Sequence, residues 1–474
     1  MARMLYKINE FLGIDQSSAE NGLPTGMSPD ACNMDTSDGA LRVAQGFLPA
    51  IEQPVPGSDT PHRLFLYRSQ AGTQFIVLAG QALYAYKQGA WQKVYEYEGT
   101  LGNFCFCAAQ TQINGTDCLV IGCGERRLIK YDGETVALFG SAAGVSDVPA
   151  LYLDTYKGRL FAAGDPNHKN RLYWSQLPGD GRSVEDWSSV EASPNVEGGH
   201  AEVGSDGSDP ITGLMALSNQ LLIFKRRSIY RLIGDRPGNF TIESVDSASE
   251  STAHTVLVRV ADAVYYLTAA GLFAFNGVTA RAMADARRIK TFLAMADAAD
   301  ARGALAREKL LFLLKENGES AVVEYDLLRR TYMLRRGFTA YDLCASDGYA
   351  YLVDGTRRVC RLGEGNSYNG LPIHAWWQTP STDLYEKSTV KALRQLYLRG
   401  AEETENAAVL VEASVGGMST MYRVLLPKER AAVLELPLKN EGRVFSLRFE
   451  NEAGGRFVLE GGAELAFEQW RRVE

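Results

Sequence analysis

Histidine is scarce in this chain. Five occur in 474 residues, at His62, His168, His200, His254 and His374. None stands in the H-E-x-x-H spacing that places two imidazoles on one helix face around zinc, and none sits beside an evident nucleophile motif. No G-x-S-x-G elbow and no phosphate-cradling P-loop occurs. "GCGERR" (Gly122–Arg127) begins like a dinucleotide fingerprint. It lacks the third glycine and lies in a hairpin instead of ahead of a helix. Cysteine is sparse and odd in number, seven in all. That fits buried thiols better than a disulfide framework. No apolar run approaches the roughly 18–20 residues of a membrane helix, so no membrane insertion is expected. The opening "MARMLYKINEFLGID" lacks the apolar core and small-residue cleavage site of a signal peptide, so folding in a cytoplasm is expected. The net charge of −8 argues against a protein that coats nucleic acid by charge alone.

Repetition is what the chain does have. "NQLLIFKRRSIYRLIGD" (Asn219–Asp235) is an apolar run, a basic turn and a second apolar run. Six similar units begin at Phe75, Cys118, Arg159, Val264, Leu310 and Ala350. With Leu221 as the start of the opening example, the successive spacings are 43, 41, 62, 43, 46 and 40 residues. Five of the six lie near the period of about 40–45 that four-stranded propeller blades impose. A further apolar run usually precedes each unit, such as "HRLFLY" (His62–Tyr67). The expected fold is therefore all-β: a seven-bladed β-propeller over residues 61–368. Radial repetition leaves only short edges exposed. A strand near Leu41–Phe47 is expected to pair into the last blade and close the ring.

Three segments depart from the repeat. The long spacing holds an inserted loop, 179–210, rich in Gly, Ser, Asp and Glu. Residues 284–306 are Ala-rich, with Ile289, Phe292, Leu293 and Met295 at helical spacing, and predict one helix. Residues 369–474 alternate apolar and polar and predict a C-terminal antiparallel β-sandwich. Residues 1–60 are punctuated by Gly, Pro and Asn and predict an extended arm.

Candidate functional residues fall in turns. Arg126 and Arg127, Lys169 beside His168, Lys225-Arg226-Arg227, and Arg357-Arg358 occupy equivalent hairpin turns, which would set a basic rim on one face of an acidic molecule. The plainer reading, which the sequence favours, is that exposed turns are charged for solubility. Asp180, Glu185, Asp186, Asp206 and Asp209 make the inserted loop acidic, as an interface or simply a solvated loop. The D-x-D-x-D-G calcium pattern is absent. Cys105-x-Cys107 and Cys118-x4-Cys123 could meet a metal across a strand face, but the spacing is not that of a zinc knuckle. No catalytic residue, cofactor or metal is assigned.

The ends of the chain carry a resemblance. "FLGIDQSSAENGLPTGMSPDACNMDTSDGALRVAQGF" (Phe11–Phe47) resembles the opening of propeller proteins from the tails of tailed bacteriophages. Ser28, Pro29, Asp30, Asn33, Asp38, Gly39, Arg42 and Gly46 stand at the matching positions. "RLYWSQLPG…EDW" (Arg171–Trp187), the Ile211–Gly277 stretch and the region after "AWWQTP" (Ala375–Pro380) are similar as well. The likeness implies a non-enzymatic tail nozzle or hub, also called a packaged-DNA stabilisation protein. It implies a virion tail assembled in the host cytoplasm, and a ring of usually six copies beneath portal and adaptor proteins. Double-stranded DNA would be retained and then passed through the lumen without sequence-specific binding. A lumen rich in Asp and Glu would repel phosphate and let DNA slide. Two other readings stay open. One is a soluble propeller scaffold or carbohydrate-binding module. The other is a propeller glycoside hydrolase, with Asp165, Glu185 and Asp186 as its carboxylates.

Overall fold

The computed structural model describes residues 3–102, 105–140, 148–189, 195–204, 208–246, 254–384, 386–400, 407–427, 431–436 and 441–471. Seven small sheets follow one another along the chain, antiparallel except for the parallel pairing of Tyr368 with Phe47 in the seventh. The first is the four-stranded meander Pro61–Ser69, Gly72–Ala79, Ala82–Lys87 and Ala90–Glu96. Five more four-stranded sheets begin at strands Cys107–Ile113, Tyr152–Tyr156, Ile211–Ala216, Leu257–Val260 and Ala296–Ala306. The seventh runs Ala340–Ser346, Tyr349–Asp354 and Val359–Leu362, and then takes a strand from far upstream. Phe47–Pro49 pairs antiparallel with Val359–Leu362.

Each first strand packs against the first strand of the next sheet, and that of the seventh packs against that of the first. Apolar clusters fill the spaces between sheets. Phe65, Ile76 and Leu83 of the first meet Leu119, Ile121 and Ile129 of the second. Val353 and Val359 of the seventh meet Leu64 and Val77 of the first. This is a propeller-like all-β fold. The seven sequence units are the second and third strands of the seven sheets. Second strands such as Arg159–Ala163 and Leu221–Lys225 are buried at every position because a neighbouring sheet covers each face. They therefore read as continuous apolar runs and not as alternation.

Two expectations need correction. Residues 284–306 do not form one helix. Helical turns cover only Ala286–Ile289 and Lys290–Leu293, while Ala296–Ala306 is a strand paired with Lys309–Glu316. Alanine's helix preference is a weak bias that sheet pairing overrides. Gly303 shows how closely this strand packs: a Cβ there would lie 2.6 Å from Val258 Cγ2 of the fifth sheet. The second correction is one of place. The closing strand is Phe47–Pro49, and Leu41–Val43 pairs instead with the C-terminal strand Val458–Arg471.

The C-terminal region forms two further antiparallel sheets. One orders Met34–Asp35, Leu41–Val43, Val458–Arg471, Thr389–Gly400 and Ala431–Glu435, with Arg3–Ile8 also on Val458–Arg471. The other orders Ala31–Cys32, Trp376–Gln378, Phe445–Asn451, Ala408–Val415 and Met418–Leu425. Ala408–Val415 alternates half-buried and buried, as a strand with one covered face must. Tyr6 packs edge-on to Phe445 at 5.5 Å between ring centroids, and Phe11 to Trp377 at 5.0 Å. The N-terminal segment is thus woven into both of these sheets and into the seventh. Its pivot is Asn33, buried at φ +55°. Asn33 Nδ2 donates to Arg336 O and His374 O, and its Oδ1 accepts from Arg336 N and the Tyr368 hydroxyl.

Candidate functional site

The basic turns all join the second and third strands of their sheets: Arg126-Arg127 in the second, His168-Lys169 in the third, Arg226-Arg227 in the fourth and Arg357-Arg358 in the seventh. The turns are thus equivalent in their sheets. Their side chains divide into two groups. Arg126, Lys169, Arg226 and Arg227 are exposed, and they come from three consecutive sheets. The others face inward. Lys225 is 2% exposed, donates to Val203 O at 2.7 Å and lies 5.5 Å from the Tyr230 ring centroid. It is the last residue of a strand covered on both faces, so it does not belong to a rim. Arg127 donates to Phe139 O. Arg357 donates to the carbonyls of Val55, Pro56 and Asp59, and Arg358 to Glu52 O. That pair grips the chain between the closing strand and the first sheet. The planar guanidinium fork suits several carbonyls at once.

The acidic insert divides similarly. Glu185 is buried, accepts the Gly140 N–H at 2.8 Å and pairs with Lys130 at 2.8 Å. Asp209 is buried and accepts from Arg227 N and the Ser228 hydroxyl, which orders the turn that displays Arg226 and Arg227. Both are anchors of the fold and not free interface groups, because their oxygens already hold the second sheet and the loop after it, or the turn of the fourth sheet. Asp186 accepts the Ser188 N–H, and Asp180 stays exposed beside Arg182. Asp206 lies outside the described residues. Asp165 accepts from the Tyr173 hydroxyl at 2.6 Å and from Asn167 N.

The middle of the ring holds a polar cluster to which every sheet contributes. Asp342 of the seventh sheet pairs with Arg63 of the first at 3.5 Å and Arg302 of the sixth at 3.2 Å, and accepts Leu64 N–H at 2.6 Å. Arg302 also donates to Thr255, which precedes the fifth sheet. His254 Nδ1 accepts the Leu214 N–H of the fourth sheet, and its ring lies 5.8 Å from that of Tyr152 in the third. Cys107 of the second sheet is buried here, in the field of Arg63 and Arg302. Burial pushes its thiol up to about 12, so it is no ready nucleophile. Burial, helped by Arg63, holds His254 down at about 4, which keeps it neutral. These side chains bridge strands that must not separate, and they fill the space between them. Among the described residues no three His, Cys, Asp or Glu groups converge as a metal site. Burial raises the Cys118 thiol to about 11 and raises Cys123 as well.

A pH response follows from this cluster. Below pH 6.5 an unfolded His254 takes up a proton that the folded one refuses until about 4, so the fold loses stability across that window. Asp154 has the opposite sign. Burial raises it from 3.8 to about 6 while it accepts Ala216 N–H, so the folded state binds the proton more tightly and gains stability as pH falls through 6. In melting curves recorded from pH 7 to 4, His254→Gln should flatten the loss of stability on acidification, and Asp154→Asn should steepen it. Parallel curves for both variants would show that neither group carries the response.

Sequence reasoning did not single out Arg159, a buried cation that holds the insert. It is fully buried in the second strand of the third sheet. It donates to the carbonyls of Ser175, Asn195, Val196 and Glu197. An arginine at the start of an apolar strand was the available signal.

With this geometry in place, comparison with known proteins adds little. No family model matches the chain, and no curated protein does. Solved structures are similar only distantly. The extracellular domain of the hybrid two-component system BT4673 from B. thetaiotaomicron aligns at 14% identity and TM-score 0.40, over 68% of this chain and 40% of that one. PorZ, a surface component of the type-IX secretion system of Porphyromonas gingivalis, aligns at 12% identity and TM-score 0.40, over 79% of this chain and 46% of that one. The chain therefore spans less than half the length of each. BBS1N, solved with ARL6DN, aligns at 12% identity and TM-score 0.32, over 76% of this chain and 96% of that one.

Proposed function

We propose that the chain is a seven-bladed β-propeller bearing a C-terminal β-sandwich, and that it is a structural, non-enzymatic protein of a bacteriophage tail. Several copies would assemble as a nozzle or hub ring that retains packaged DNA and conducts it during ejection. The observation that carries this reading is the arc of exposed cations Arg126, Lys169, Arg226 and Arg227 on one face of a chain with net charge −8. Such an arc is complementary to the acidic remainder of a second copy or of a tail neighbour. The filled middle of the sheets bears on the conduit. DNA would pass between copies arranged around a shared axis, and not through any single propeller.

Electron microscopy of the purified protein, alone and with its tail neighbours, tests the assembly. Rings are expected for the native chain. Arg226→Glu with Arg227→Glu should abolish them while circular dichroism and melting stay unchanged, because both side chains are exposed. Rings that persist in that double variant would remove the basic arc from the interface. A monomer that binds glycans on an array would point to the carbohydrate-binding reading. In an assembled tail, the lumen should carry negative potential.

A further inference from the structure

A large recess lies away from the basic turns. It is a cleft of about 1080 Å³ between the sixth and seventh sheets, the N-terminal segment and the C-terminal sheets. Arg307 and Glu308 sit in it, on the turn between the first and second strands of the sixth sheet, and Gly348 on the corresponding turn of the seventh. Such turns open on the face opposite the second-to-third-strand turns. From the other side come Asp35, Arg42, Arg399, Arg456 and Glu460.

Acids and bases in the cleft are not equally engaged. Asp35 accepts from Ser37 and faces Lys309 at 3.7 Å. Glu324 pairs with Arg335 at 2.5 Å and with Lys309 at 3.6 Å. Asp326 accepts the N–H groups of Leu328 and Arg329, and Glu364 pairs with Arg361. The cations are less matched. Arg456 donates to Asn366 Oδ1 and Val43 O, which are neutral acceptors. Arg42 pairs with Asp38 through one Nη, but its buried Nε has no hydrogen-bond partner. Burial and the nearby Arg42 guanidinium hold Arg456 below the usual arginine range. Arg399 is exposed at the rim, and Arg307 lies 5.3 Å from the Tyr349 ring centroid. Glu308 and Glu460 are the exposed carboxylates that remain. Six arginines line the cleft; Arg329 and Arg335 are paired with Glu10 and Glu324, while Arg42, Arg307, Arg399 and Arg456, from three parts of the fold, face the same space, and Arg42 acts on Arg456 as a like charge.

We propose that this cleft binds a small anion bearing several phosphate groups, either free polyphosphate or the phosphate chain of a nucleotide. Guanidinium groups hold phosphate oxygens through paired N–H donors, and a multiply charged anion relieves the repulsion between Arg42 and Arg456. The volume is at the upper end of ordinary small-ligand sites, roughly 300–1,000 Å³. The site needs no ring assembly, so its test is separate from that of the proposed function.

Isothermal titration calorimetry of the full chain with sodium tripolyphosphate at low salt reads the binding. One saturable site is expected. Arg456→Gln should weaken it at least tenfold and Arg399→Gln at least threefold, while Arg281→Gln, exposed on the fifth sheet and outside the cleft, leaves it unchanged. Arg399 is exposed, so its variant stays informative should Arg456→Gln lose its fold. ATP binding at least tenfold tighter than tripolyphosphate assigns the nucleotide as the source, and equal affinity assigns free polyphosphate. The proposal is overturned by the absence of saturable binding, by wild-type affinity in both cleft variants, or by a hexaglutamate peptide binding more tightly than tripolyphosphate.

Discussion

Arg159→Leu should lower the stability of the chain by ~3–5 kcal/mol and release the inserted loop to proteolysis. The guanidinium is the shared donor for four carbonyls, those of Ser175, Asn195, Val196 and Glu197. Val196 O also accepts the Leu177 N–H at 2.9 Å, so it keeps one partner. The others lose a charge-assisted bond, which for Ser175 O is fully buried and for Asn195 O and Glu197 O partly so. Each buried unsatisfied group costs about 1–3 kcal/mol, and the loop recovers part of this by opening to solvent. Arg159→Lys should recover only part of the loss, because one ammonium cannot copy a planar fork that spans two strands of carbonyls. Thermal melting and timed protease digestion of residues 179–210 measure both effects. A leucine variant within ~1 kcal/mol of wild type would mean that the clamp is replaceable by water.

Asn33→Ala should come close to this in size, at ~2–4 kcal/mol. Its amide serves four partners at once: Arg336 N, Arg336 O, His374 O and the Tyr368 hydroxyl. These belong to the sixth sheet, the link to the C-terminal sheets, and the segment that flanks the closing strand. Its backbone is in the left-handed region at φ +55°, which asparagine tolerates better than most residues. Asn33→Gly should therefore be milder than Asn33→Ala by ~1 kcal/mol, since it removes the bonds without adding the Cβ strain. Equal losses in the two variants would show that backbone conformation contributes nothing there. Melting temperature and the rate of cleavage within residues 1–50 read the outcome.

These two residues show where sequence reading stopped. The hairpin units were legible because a turn of Gly, Asn or basic residues between two apolar runs is a local signal, and its spacing repeats. That Arg126, Lys169, Arg226 and Arg227 fall in equivalent turns was legible for the same reason. Lys225 was not, since its burial depends on Val203 arriving from the preceding sheet. Nor were Arg357 and Arg358, whose acceptors lie some 300 positions upstream. Ala296–Ala306 carries a helix-favouring composition, and only its pairing with Lys309–Glu316 makes it a strand. The cleft draws its walls from residues 35–45, 306–364 and 399–460. No window along the chain contains it.

The strand Phe47–Pro49 has a temporal meaning as well. It emerges from the ribosome early, yet its partner Val359–Leu362 is made about 310 residues later, after roughly 15–60 s of synthesis. The strand Arg3–Ile8 waits longer still, for Val458–Arg471. Until those partners are made, these segments are unsatisfied edges, available to a chaperone or to the wrong neighbour. Completion of the circle must therefore wait until Val359–Leu362 has been made, and the delay follows from distance along the polymer.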